Sequence, residues 1–233
     1  MIDFITSRNE KIAVYKHGGK GIGVLYVSGY RNVMQDNPKT ELLKTFCKQN
    51  DMPFVDFDYA GWGRSGNDKR EWAVDNWIEN IIDVIDQCVD FPAILVGYSM
   101  GGYIMLTAAL ARKAKVHGIV GIAAGFGDYI QETGRHDICY EPENVKINLA
   151  LENDGHSKFH QISDRLDIHC PIHCVHGMDD DLVHWQCSKN IIENVSSSNG
   201  TLELIKGCQH NMARDEDMQP VLDAILKLRK TNS

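Results

Sequence analysis

Several things are scarce in this 233-residue chain. No run of consecutive apolar residues approaches the roughly 20 needed to cross a bilayer, so no transmembrane segment is expected. Positive charge is in deficit: 24 lysines and arginines stand against 32 aspartates and glutamates, a formal net charge of −8. With no basic face to neutralise phosphates, nucleic acid is excluded as a partner. The opening residues, Met-Ile-Asp-Phe-Ile-Thr-Ser-Arg-Asn-Glu, lack a hydrophobic signal core and carry acids early, which also makes a poor transit peptide. Linker-like low-complexity segments and internal repeats are missing, so a single domain over residues 1–233 is expected, large enough for a sizeable core.

The seven cysteines are odd in number and scattered. They read as free thiols of a reducing compartment rather than a disulfide framework, which makes the cytoplasm the expected location and leaves an organelle open. The run His169-Cys170-Pro171-Ile172-His173-Cys174-Val175-His176 tempts a metal reading. Residues 171–176 read as a strand, however, and four residues along a strand span about 13 Å. Cys170 and Cys174 would share a face but stand too far apart for two Zn–S bonds of about 2.3 Å. Neither a metal nor a cofactor is expected.

Strand and helix patterns alternate through most of the chain, which predicts an α/β protein with a largely parallel sheet. Strands are expected at 11–15, 23–27, 54–57, 93–96, 116–123, 171–176 and 201–205. Helices are expected at 40–48, with Pro38 near its start, from Val74 through Ile85, at 103–111, and at 221–228 with Pro220 in its first turn. Asp58-Tyr59-Ala60-Gly61-Trp62-Gly63-Arg64-Ser65-Gly66 is a glycine-punctuated loop. Between Ala124 and His169 the rhythm breaks into glycines, charges and isolated aromatics. So long an irregular excursion is expected to be a cap, residues 124–169, inserted within the one domain.

The run Gly97-Tyr98-Ser99-Met100-Gly101-Gly102 sits between the apolar strand at 93–96 and the helix at 103–111. A serine at the apex of so tight a strand-to-helix turn has unfavourable backbone angles, and Gly97 and Gly101 stand where the chain passes close to neighbouring backbone. The turn lifts the hydroxyl clear of both elements, and the helix behind it aims N–H groups at developing negative charge. A nucleophilic serine needs a base and an acid to orient that base. His210, in a loop between the last strand and the last helix, is the candidate base. Asp179, Asp180 and Asp181 follow the penultimate strand, and Asp128 offers a second location for the acid.

The segment from His176 to Val183 resembles the His-Gly-x-x-Asp-x-x-Val signature of α/β hydrolases, and Asp58 to Ser65 resembles their Asp-x-x-Gly-x-Gly-x-Ser loop. More narrowly, Phe57-Asp58-Tyr59, Leu95 through Gly102, and the 176–183 segment with Trp185 and Ser188 resemble the palmitoyl-protein thioesterase and acyl-glucuronide esterase branch. The resemblance covers nearly the whole chain and implies the α/β-hydrolase fold, with helices on both faces of a mostly parallel sheet. It places the acid on Asp180. It also implies a serine hydrolase that cleaves acyl esters or thioesters through Ser99, His210 and Asp180, with backbone N–H groups of Met100 and Tyr30 as the oxyanion hole. The expected partner is a small-molecule or acylated-protein substrate, and Tyr30, Trp62, Met100, Phe126 and Trp185 are candidates to line an acyl pocket. Two departures stand out: Ser28-Gly29 replaces the His-Gly that often precedes the oxyanion loop, and the cap is short. A serine at the elbow argues against haloalkane dehalogenase and epoxide hydrolase chemistry. Carbon–carbon bond hydrolysis, acyl transfer and a catalytically weak ligand-binding receptor remain as alternatives on the same fold.

Overall fold

The structure is a computed structural model that describes residues 2–66, 74–125 and 165–231. Its centre is an eight-stranded sheet: β1 (Ile2–Ser7), β2 (Glu10–His17), β3 (Gly23–Val27), β4 (Phe54–Phe57), β5 (Ala93–Tyr98), β6 (Val116–Ile122), β7 (Ile172–Gly177) and β8 (Gly200–Ile205). The spatial order is β1-β2-β4-β3-β5-β6-β7-β8, antiparallel where β2 meets β1 and β4 and parallel elsewhere. The mostly parallel α/β architecture is the expected one. Among the described residues five α-helices pack against it: α1 (Pro38–Gln49), α2 (Val74–Cys88), α3 (Met100–Ala111), α4 (Gln186–Asn194) and α5 (Asp215–Arg229).

The period-two alternation of β3 and β5 explains why both faces are covered. Leu25, Val27 and Leu95 enter a core with α2, α3 and Ile191 of α4. Val24, Tyr26, Ile94 and Val96 enter a second core with Leu43 and Cys47 of α1 and with Val221, Ala224 and Ile225 of α5. The carboxyl ends of the parallel strands therefore lie along one edge of the sheet, and their loops converge there.

Three elements depart from the expectation. β1 precedes the strand at 11–15 and forms a hairpin with it through Arg8 and Asn9, both at positive φ (48° and 71°). It is an edge strand with Phe4 55% exposed, so no continuous apolar run marked it. α4 is nine residues of mostly polar sequence. Pro220 does not lie in the first turn of the last helix: α5 begins at Asp215, where the Asp217 carboxylate accepts the Arg214 backbone N–H at 3.2 Å. Pro220 sits in the helix interior, where it withholds an N–H from the Glu216 carbonyl. The expected cap falls largely on residues 126–164, outside the described residues.

The Asp58 loop is fastened by its own side chains. Asp58 is buried and accepts N–H groups from Met34 (2.7 Å) and Arg64 (2.9 Å). Ser65 Oγ donates to the Asp58 carbonyl at 2.5 Å and accepts the Ala13 N–H at 2.8 Å, tying the loop to β2. Nearby Asp56 is fully enclosed. Thr40 donates to its Oδ2 (2.8 Å) and the Phe57 N–H to its Oδ1 (2.7 Å). Desolvation outweighs these hydrogen bonds and pushes its carboxyl up to about 7.

A stability prediction follows from Asp56. The unfolded chain releases this proton near pH 4, whereas the folded protein holds it to about pH 7. Between those values the folded state binds more protons, so the carboxylate erodes stability as pH rises and the loss is complete above pH 7. Asp56→Asn preserves the shape, keeps the Phe57 N–H on Oδ1 and reverses the other bond, with Nδ2 donating to the Thr40 hydroxyl. It is expected to match the parent at pH 3.5 and to exceed it at pH 8 by on the order of 2–4 kcal/mol in urea unfolding. A variant equally stable at both pH values relative to the parent would contradict the burial account.

Candidate active site

Ser99 joins β5 to α3 with φ 54° and ψ −122°, a conformation L-residues avoid. Its backbone is pinned on both sides: its N–H donates to the Ile122 carbonyl at 3.0 Å, and its carbonyl accepts N–H groups of Gly102 and Gly125, both at 2.9 Å. The flanking glycines are required by close approach. A Cβ on Gly97 would lie 2.5 Å from Met105 Sδ and 2.7 Å from the Gly101 carbonyl oxygen. One on Gly101 would lie 2.6 Å from the Ser28 carbonyl oxygen and still nearer that of Val27. α3 thus begins hard against the end of β3.

The Ser99 hydroxyl lies 3.0 Å from His210 Nε2, and His210 Nδ1 lies 2.8 Å from Asp180 Oδ2. These three side chains come from loops after β5, β8 and β7, so the parallel sheet brings them to one edge. Asp180 is an acceptor only, so Nδ1 carries the imidazole proton and Nε2 presents its lone pair to the serine hydroxyl. The Asp179 N–H donates to the Cys208 carbonyl at 3.0 Å and fixes the acid loop against the histidine loop. Of the three adjacent aspartates, Asp179 and Asp181 are exposed while Asp180 is buried. Asp128 lies outside the described residues.

Burial alone would raise the Asp180 carboxyl. Hydrogen bonds from His176 and His210 and the backbone N–H of Val183 outweigh that and hold it well below the usual carboxylate range. Leu182 and Val183 N–H groups reach Oδ1 at 2.9 and 2.8 Å. His176 Nε2 approaches Oδ2 at 3.1 Å. The His210 side chain is 12% exposed, so its imidazole is open to a ligand while the Asp180 carboxylate is sealed.

The loop after β3 is preorganised. The Ser28 hydroxyl donates to the Asn32 carbonyl (3.1 Å), Asn32 Nδ2 donates to the Tyr30 carbonyl (3.1 Å), and the Asn32 N–H donates to Gly29 (3.1 Å). Tyr59 OH anchors the Ser28 carbonyl at 3.0 Å. Ser28 therefore does structural work in place of the histidine often found there. Met100 is the first residue of α3, where N–H groups have no acceptor within the helix. Trp62 is only 3% exposed. It packs among Tyr30, Tyr59 and Trp77 (centroids 4.9–5.5 Å), supporting Tyr30 from behind. Met100 and Trp185 are half-buried, and Phe126 lies outside the described residues.

Sequence reasoning missed several supports. The Tyr98 ring lies against the His210 imidazole (centroids 5.3 Å). Lys39 Nζ stands 4.4 Å over the Tyr98 ring and donates to the Asn211 carbonyl, joining the start of α1 to the histidine loop. Burial draws the Lys39 amine below its ordinary value and lifts Tyr98 to about 12, the latter with help from the Asp180 charge. Among the described residues no group of three or more His, Cys, Asp or Glu is arranged to hold a metal ion.

A strained serine between close-packed glycines, at the carboxyl edge of a mostly parallel sheet and within reach of a histidine, defines a serine hydrolase of the α/β-hydrolase fold. Comparison with known proteins agrees. The chain belongs to the prolyl oligopeptidase family, whose sequence model matches residues 92–227, and a serine aminopeptidase S33 model matches residues 39–143. The human mitochondrial palmitoyl-protein thioesterase ABHD10 is 29% identical over 227 residues, 89% of this chain and 73% of that protein. The solved structure of alpha/beta hydrolase domain-containing protein 10 from mouse superposes with a TM-score of 0.83 at 26% identity, covering 98% of both chains. A putative hydrolase from Agrobacterium vitis shares the fold, with a TM-score of 0.80 at 22% identity over 99% of both. The chain is a hydrolytic enzyme of the esterase and thioesterase kind.

The elbow packing generates a direct test. Gly101→Ala forces a methyl group into the β3 carbonyls, which are held by the sheet and cannot yield cheaply. It is expected to lose about 3 kcal/mol or more of stability in thermal or urea unfolding, at the severe end of single substitutions. Parent-like unfolding would refute the close approach.

Proposed function

We propose that this enzyme hydrolyses acyl thioesters, and related acyl esters, through Ser99, His210 and Asp180 and an acyl-enzyme intermediate. The observation that carries the proposal is the unbroken hydrogen-bond chain from Ser99 Oγ through His210 to Asp180. The thioester preference is supported by the named activity of the human relative. Its substrate is an acylated protein or a small acyl thioester.

In the first half-reaction Ser99 Oγ attacks the acyl carbon while its proton passes to His210 Nε2. The buried Asp180 charge steadies the imidazolium and keeps the ring in the productive tautomer. The N–H groups of Met100 and Tyr30 receive the oxyanion, each donor worth about 3 kcal/mol in comparable sites. The carbon–sulfur bond breaks and His210 returns the proton to the leaving thiolate. Water then attacks the acyl-serine with His210 again as base, releasing the carboxylic acid and restoring Ser99. No step calls on a cofactor.

Residues 1–233 act as one domain in this proposal, with 124–169 as the cap that selects the acyl group. Among the described residues no helix is long and apolar enough to cross a membrane. The human relative is mitochondrial by name, which supports an organellar site of action over the cytoplasmic one.

Turnover of acyl-thioester and oxygen-ester series of graded chain length tests the proposal. Ser99→Ala is expected to abolish measurable turnover with the fold intact, and Asp180→Asn to lower kcat by about four orders of magnitude through loss of the tautomer. A fluorophosphonate probe is expected to label the parent and not Ser99→Ala. Near-parental turnover by Ser99→Ala would remove the serine from the mechanism, and an unlabelled, inactive parent would favour a ligand-binding receptor.

A further inference from the structure

Behind the acid lies a second imidazole that the mechanism above does not use. His176, the last residue but one of β7, is fully enclosed, as is Ser188 of α4. His176 Nε2 lies 3.1 Å from Asp180 Oδ2 and 2.8 Å from the Val183 carbonyl oxygen. Both partners are acceptors, so Nε2 must carry a proton and share it between them. On the far side of the ring, His176 Nδ1 lies 2.7 Å from Ser188 Oγ. In the neutral imidazole Nδ1 accepts the Ser188 hydroxyl proton, so the serine fixes the tautomer that points a donor at Asp180.

We infer that His176, oriented by Ser188, is a positioning residue for the general base, acting through Asp180; the inference rests on the reading of Ser99, His210 and Asp180 proposed above. Two imidazole N–H groups meet at the same oxygen, Oδ2, while two backbone N–H groups hold Oδ1. A carboxylate gripped at both oxygens cannot rotate, so the direction in which it holds His210 is set by groups that never touch substrate. The His176 N–H also draws on the same lone-pair density that His210 uses. It therefore restrains how strongly Asp180 stabilises the His210 cation. Removing that donor has two separable effects: a looser base, and a cation that persists to higher pH. Among the described residues, Tyr98 feels the charge of this carboxylate, and Asp179 and Asp181 stand exposed on either side of it in the chain.

Two isosteric substitutions separate positioning from packing. The amide nitrogen of His176→Gln reaches the place of Nε2 and keeps the donation to Asp180. His176→Asn reaches only the place of Nδ1 and loses it. His176→Asn is expected to lower kcat roughly 10- to 100-fold, as outer partners of site histidines do elsewhere, with little change in KM. The acidic limb of its kcat/KM profile is expected to move to higher pH. His176→Gln is expected to retain most of the parental kcat and the parental limb. Parental kcat and pH profile in His176→Asn would overturn the inference. So would equal losses in both variants with the limb unmoved, the signature of packing alone. If either variant fails to fold, imidazole ¹⁵N–¹H correlation spectra of the parent at pH 8 decide: a proton on Nε2 of His176 supports the inference and one on Nδ1 overturns it. Failure of the parent proposal shows itself separately, as turnover by Ser99→Ala.

Discussion

Ser99 holds a backbone conformation that costs on the order of 1–3 kcal/mol, and the surrounding architecture is arranged so that it cannot relax. The Ile122 carbonyl at the end of β6 takes its N–H, and Gly102 and Gly125 take its carbonyl. α3 presses so closely on β3 that only glycine fits at position 101. The restraints come from α3, from β3 and from the end of β6 with the residues just after it, so the apex is over-determined. The same packing brings the start of α3 beside the Ser28–Asn32 loop, which places two backbone segments around the space in front of the hydroxyl. The strain at Ser99 and the approach of these two backbone segments thus share one cause.

The charge at the acid is managed differently. Among the described residues Asp180 is buried with no lysine or arginine paired to it; the side chains that meet its carboxylate are the imidazoles of His176 and His210. A guanidinium there would satisfy the carboxylate permanently and weaken its response to a cation on His210. Neutral donors satisfy the oxygens while leaving the net charge uncompensated. Asp56, equally enclosed, is met by one hydroxyl and one backbone N–H, with the Lys44 charge the smallest influence, and holds its proton to about pH 7. Two buried aspartates, one in β4 and one in the loop after β7, are driven in opposite directions by the number and kind of donors aimed at them.

What could be read from the sequence was local in character. The β5–Ser99–α3 turn is written in consecutive residues, with an apolar run before the glycines and a helix after them. The alternation of the parallel strands gave the architecture for the same reason. Pro220 misled because proline favours a first turn, yet three acidic residues had already begun α5 before it. α4 escaped because only Cys187, Ile191 and Ile192 among its nine residues are apolar. His176 stood in plain view within its motif, but its role depends on Ser188 twelve residues away and on a carbonyl in the acid loop. Lys39 and Asn211 are 172 positions apart, a contact no pattern within one segment can announce.

The strand order has a bearing on how activity is acquired. Ser99 and His210 are separated by 111 residues, and the loop bearing His210 follows β8, which forms one edge of the sheet. Long-range parallel pairing is slow, because chain closure precedes its reward. As the chain is synthesised, β3, β5 and α3 are complete well before β8 and α5 emerge. Under the proposed mechanism a nascent chain carries its nucleophile without a base, and chemical competence arrives together with the final edge of the sheet. In that mechanism hydrolysis is coupled to completion of the fold, and an unfinished molecule has no base to activate Ser99.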